Sequence, residues 1–162
     1  MAKAKKAAKK VVKKSPAKKS AAKGDSTMAA LRAMYDAYND KTMSEAKRTA
    51  TIFAPVGDKC LLVEHAPPDR LEWGGKYIGK QGWQEFFGRV GKALEHKNYV
   101  CQHLHRSGDW VFSWGYFDSV CRQSGKQTRR EWQHRLLIRN GKIVEMHEFY
   151  DTLQMAIDLG RT

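Results

Sequence analysis

The segment Glu131–Asp151, EWQHRLLIRNGKIVEMHEFYD, constrains the fold more tightly than any other stretch of this chain. Two runs rich in Leu, Ile, Val, Phe, Tyr and Trp flank Asn140-Gly141, the residue pair that most readily supplies the positive φ of a tight reversal, so the segment is expected to be a β-hairpin. Its register decides which side chains share a face. A two-residue loop would pair Arg139 with Lys142 and set Glu148 beside Gln133. A three-residue loop would pair Ile138 with Lys142 and set Glu148 beside Trp132. In the three-residue register Trp132, His134, Leu136 and Ile138 share a face with Val144, Met146, Glu148 and Tyr150, and Gln133, Arg135 and Arg139 join Glu145 and His147 on the other. Hydrophobic matching therefore favours that loop, a type I turn closed by Gly141 in the left-handed region. It makes Glu148 a carboxylate on a mostly apolar face.

The 162 residues, 41% of them hydrophobic, suffice for one domain with a core. Charge is concentrated at the N-terminus. Lys3, Lys5, Lys6, Lys9, Lys10, Lys13, Lys14, Lys18, Lys19 and Lys23 are accompanied by no acid, leaving only 3 of the net 13 positive charges to the rest. Residues 1–25 are thus expected to form a disordered lysine-rich tail and residues 26–162 a folded domain. Ten closely spaced ammonium groups bind polyanions by counterion release, without sequence preference, and nucleic acid is the expected partner. A merely solubilising extension is the plainer alternative.

Cys60, Cys101 and Cys121 are odd in number and lack any C-x-x-C spacing, which argues against a disulfide framework or a zinc site. No apolar run reaches a membrane span, and the basic N-terminus lacks the apolar core of a secretory signal. A cytoplasmic protein follows, with nucleoid or chromatin association if the tail binds DNA.

Met28, Leu31, Met34, Tyr35 and Tyr38 are spaced as one face of a helix capped by Ser26 or Thr27, and a second helix is expected over Ser44–Phe53. A strand over Cys60–Glu64, a proline-stiffened loop, a short extended piece at Lys76–Gly79 and an amphipathic helix over Gln81–Glu95 follow. Strands near Asn98–Arg106, Trp110–Arg122, Gln127–Ile138 and Lys142–Asp151, then a helix over Leu153–Leu159, complete an α+β chain with helices covering one face of a curved antiparallel sheet. On the Trp110 strand both faces are apolar. Val111, Ser113, Gly115 and Phe117 leave room for a cavity, whereas Trp110, Phe112, Trp114 and Tyr116 need a cover, for which a second copy in a homodimer is the simplest.

The helix AALRAMYDAYND, the segment YIGKQGWQEFF and the ending RNGKIVEMHEFYD resemble the SnoaL-like group of the nuclear transport factor 2-like superfamily over about Thr27–Gly160. The tail, with Ser15-Pro16-Ala17-Lys18-Lys19, resembles linker histones in composition. The first resemblance implies a cone-shaped fold around a pocket, often dimeric, with members that are polyketide cyclases, isomerases, epoxide hydrolases or non-catalytic. In its cyclases and epoxide hydrolases a pocket acid precedes two aromatics on the last strand; that position is Glu148. The epoxide-hydrolase Arg and Asp would fall on Gly115 and Phe117, which removes that activity. In its ketosteroid isomerases the base follows the first strand, where Glu64-His65 stands, and a helix-1 Tyr donates to the oxyanion, a role open to Tyr35 or Tyr38. The partner protonated acid has no clear counterpart.

The expected site is therefore Glu148 as acid or base with His134 assisting and Tyr35 or Tyr38 as oxyanion donor, in a pocket lined by Trp132, Met146, Tyr150, Phe117, Trp83 and His65. Trp73 is a further candidate wall. The ordinary alternatives are a Glu148 salt-bridged to Arg130 or bonded to Trp132, a core His134, and tryptophans that merely fill the core. His103 and His105 share a strand face without a third ligand, so no metal is expected, and proton transfer of this kind calls for no cofactor. The competing reading is a non-enzymatic, nucleic-acid-associated homodimer with a vestigial or sensory pocket.

Overall fold

The computed structural model describes residues 25–161; the lysine segment and its expected disorder lie outside the described residues. The elements run α1 (Ser26–Ala37), α2 (Glu45–Phe53), β1 (Val56–Glu64), β2 (Gly75–Ile78), α3 (Gly79–Ala93), β3 (Leu94–Ser107), β4 (Trp110–Cys121), β5 (Gln127–Arg139), β6 (Lys142–Tyr150) and α4 (Thr152–Asp158). The strands form one sheet in the order β2-β1-β6-β5-β4-β3. All neighbours are antiparallel except β1 and β6, which run parallel and bring the first and last strands of the chain side by side. The architecture is α+β, a curved sheet with helices over the face that holds the core.

The hairpin differs from expectation in its turn and at one position of its inner face, where buried Ile143 stands in place of the expected Val144. Asn140 (φ 51°) and Gly141 (φ 73°) form a two-residue loop, with Arg139 opposite Lys142. Two consecutive positive φ angles give the reversal the twist that flanking strands prefer, and Asn-Gly meets that demand at least cost. By itself this register would turn the apolar set outward. A β-bulge between Ile143 and Glu145 restores it: Ile138 pairs with Ile143, Leu137 with Glu145, and beyond the bulge Leu136 faces Met146, His134 faces Glu148 and Trp132 faces Tyr150. Burial of the apolar face, not the loop alone, sets the final register. Glu148 consequently stands opposite His134, one pair removed from the expected Trp132.

Three smaller expectations are corrected. Asp25, not Ser26 or Thr27, occupies the N-cap of α1, and its carboxylate pairs with Arg106. Strand β1 begins at Val56 rather than Cys60, because Val56 pairs with Ile143 and the Ile143 N–H donates to the Pro55 carbonyl (2.8 Å). The small face of β4 is not open space. A Cβ on Gly115 would fall 1.8 Å from the Val100 carbonyl oxygen, so this glycine admits the neighbouring strand, and Ser113 is covered by Tyr35. Helix α1 turns Leu31, Met34 and Tyr35 onto the sheet; each such fully buried large side chain contributes about 1.5–3 kcal/mol.

Candidate functional site

Strand alternation places Leu62 and Glu64 of β1 on the same inner face as Met146 and Glu148 of β6, and the parallel ladder pairs Leu62 with Met146 and Glu64 with Glu148. Two carboxyl groups thus meet at the buried end of a cavity of about 250 Å³. Glu148, His134, Tyr38, Met146, Tyr150 and Phe117, all expected at the site, line this cavity, and so do Trp73, Tyr99 and Glu64. Lys41 and Lys97 stand at its exposed end.

His134 is held on both ring nitrogens. Tyr35 Oη lies 2.8 Å from Nδ1 and 2.7 Å from Ser113 Oγ, Tyr99 Oη lies 3.1 Å from Nε2, and Glu148 Oε1 is 3.4 Å from Nε2. Burial pushes the Tyr35 and Tyr99 hydroxyls well above the ordinary tyrosine value, so both stay protonated. A chain in which Ser113 donates to Tyr35, Tyr35 to Nδ1, and Nε2–H is shared between Tyr99 Oη and Glu148 is consistent with these distances. The imidazole is thereby fixed against one oxygen of the acid.

The two acids are driven apart. Burial, then the charge of Glu148, push the Glu64 carboxyl up to about 10, outweighing the opposite influence of Tyr150. Burial also works against the charge on Glu148, but the facing His134 outweighs it and leaves that carboxyl below its ordinary value. At neutral pH Glu64 is a carboxylic acid and Glu148 a carboxylate. Both Glu64 oxygens are buried and make no hydrogen bond of good geometry among the described residues, with Glu148 and Tyr150 the groups that face its proton. The Trp73 indole N–H donates to Tyr150 Oη (2.7 Å), which leaves the Tyr150 proton facing Glu64.

Several sequence expectations fall elsewhere. Tyr35 lies behind His134 and does not line the cavity, because its hydroxyl is taken by Ser113 and the imidazole. Trp132 is stacked between Tyr35 and Tyr99 (centroids 5.4 and 4.8 Å), and Trp83 is buried against Phe53 and Phe87, so both are core, not wall. His65 sits on the opposite face of the sheet, with its Nε2 2.8 Å from His147 Nδ1 and its ring on Phe149. Arg130 is paired with Asp158 of α4, leaving Glu148 to His134. Among the described residues no group of three metal-ligating side chains is present.

Glu64 and Tyr99 are among the cavity residues that the site list drawn from sequence lacked. For Glu64 a signal existed: it follows Cys60 and Leu62 in strict alternation, which points it inward. Tyr99 gave none, since its partner is 35 residues away.

No protein-family model and no curated protein matches the chain. Solved structures do. TerC, co-crystallised with polyporic acid, is similar over 83% of this chain and 98% of its own at 18% identity, with a TM-score of 0.69. A nuclear transport factor 2-like protein of Burkholderia thailandensis matches over 82% and 96% at 23% identity, with a TM-score of 0.68. The chain has the nuclear transport factor 2-like fold. A protein of Catenulispora acidiphila with a ketosteroid isomerase-like fold, in complex with trimethylamine, shares it at 14% identity over 75% and 84%, with a TM-score of 0.58. In this chain the cone of that fold encloses the paired acids.

Proposed function

We propose that this domain binds a small, largely apolar or aromatic carbonyl compound in its cavity and moves a proton at the carbon next to the carbonyl. The observation behind the proposal is the Glu64–Glu148 pair, two facing carboxyls at the buried end of a mostly apolar cavity, with burial and Glu148 raising the pKa of one and His134 lowering that of the other. Glu148 takes the α-proton; the C–H electron pair becomes the enolate, whose charge collects on oxygen. Glu64, as a neutral acid, donates to that oxygen, the task expected of a helix-1 tyrosine and here shared at most by Tyr38. Return of the proton from Glu148 to another carbon of the conjugated system completes an isomerisation. His134, held by Tyr35 and Tyr99, positions Glu148 and steadies its charge. TerC, of similar fold and co-crystallised with polyporic acid, supports a small-molecule ligand.

The test is hydrogen–deuterium exchange of 2-tetralone α-protons in heavy water, followed by NMR. The wild-type protein should accelerate exchange, and Glu148→Gln should remove about 10²–10⁴-fold of that acceleration. Ketone binding without acceleration would make the domain a sensor.

A second reading keeps the pocket but not the chemistry. Ten lysines in residues 1–23 favour tethering to nucleic acid, and the aromatic outer face of β4 favours a homodimer. Both are compatible with either use of the cavity.

A further inference from the structure

The exposed end of the cavity differs chemically from its floor. The carboxyls that line it, Glu64 and Glu148, lie at the buried end. At the mouth stand Arg48 of α2 and Lys41 of the α1–α2 connection. Arg48 is half-buried, donates only to the Met43 carbonyl (3.1 Å), and keeps a buried Nε without a partner. Among the described residues neither Arg48 nor Lys41 has a carboxylate partner. Asp40 accepts from the Thr42 N–H (2.8 Å), and Glu95 pairs with Lys97, which removes Lys97 from consideration. The Arg48 guanidinium therefore lines a mostly apolar cavity without a counter-charge, and its terminal N–H groups can meet an anionic group there in charge-assisted hydrogen bonds.

Resting on the pocket reading above, we infer that the ligand carries an anionic group, a carboxylate or its equivalent, at the end opposite its carbonyl, received by Arg48 and Lys41. The cavity is electrostatically polarised. An anion placed at the floor would meet the Glu148 charge, so the ligand enters with its neutral carbonyl toward Glu64 and its anion left at the mouth. Orientation is thereby set before any chemistry, and the α-carbon is delivered to Glu148 rather than to the mouth.

The experiment compares two probes that differ only in the outer group, 6-acetyl-2-naphthoate and 2-acetylnaphthalene, by calorimetric titration of the full chain. Wild type should bind the carboxylate about tenfold or more tightly than the neutral ketone, and added salt should narrow the gap. In Arg48→Gln the ratio should fall toward one, in Arg48→Lys it should be partly kept, and in the exposed Lys41→Gln it should fall in part. Equal affinities in wild type, or a ratio unchanged in both Gln variants, would overturn the anion assignment while the pocket reading stands. Failure of both probes to bind overturns the pocket reading and this inference with it.

Discussion

Glu64 ends an apolar strand, has neither oxygen bonded among the described residues, and is held neutral by burial and by Glu148. Its raised value means that the folded state keeps a proton which the unfolded state releases. Below the ordinary value of 4.5 both states are protonated and nothing is lost; between 4.5 and about 10 stability falls as pH rises. Glu64→Gln, which keeps shape and neutrality, should flatten the slope and be more stable than wild type at alkaline pH, with the difference closing toward pH 4.5; urea titrations over that range measure it. Glu148 has the opposite sign, since its lowered value contributes stability that is lost as pH falls through it. His134→Phe removes the partner that lowers it and should therefore raise the lower arm of any pH–rate profile. The sequence showed that Glu148 faces inward but could not show that a second acid faces it, because 84 residues separate the two and only the sheet joins them.

The hairpin shows how far local pattern reaches. Alternation correctly grouped His134, Leu136, Met146, Glu148 and Tyr150, since burial imposes the face whatever the turn does. The loop length was misjudged because a bulge at Val144 can absorb one residue, and nothing in VEMHEF marks a bulge in advance. Gly141 at φ 73° should be intolerant of a β-branched residue, so Gly141→Val is expected to cost about 1–2 kcal/mol by chemical denaturation. Helix α4 is tied to β5 by the buried Arg130–Asp158 pair, with Lys126 Nζ 2.6 Å from the same carboxylate. Asp158→Ala leaves Arg130 buried and alone and should cost about 3–5 kcal/mol, whereas Arg130→Met with Asp158→Leu should recover most of it. The sequence offered Arg130 as a partner for Glu148; the end of α4 takes it instead.

The sheet order makes one side of the domain a cavity and the other a stacked aromatic surface. On the outer face Phe112, Trp114 and Phe149 remain 42, 38 and 40% exposed, and His103 and His105 stack on Trp114. If a second copy covers that face, sedimentation at micromolar concentration should show a dimer, and Trp114→Lys should return it to monomer. If residues 1–23 tether the domain to nucleic acid, their deletion should abolish salt-sensitive duplex DNA binding and leave the cavity's ligand affinity unchanged. Neither property alters the pairing of β1 with β6, from which the account of the site follows. That pairing sets Glu64 against Glu148 and forces one of them to keep its proton. Infrared difference spectroscopy at neutral pH, reading the C=O stretch of a protonated carboxyl, tests it most directly. The band should be present in wild type and absent from Glu64→Gln. A wild-type spectrum with no protonated carboxyl, or a band that survives Glu64→Gln, would contradict the account.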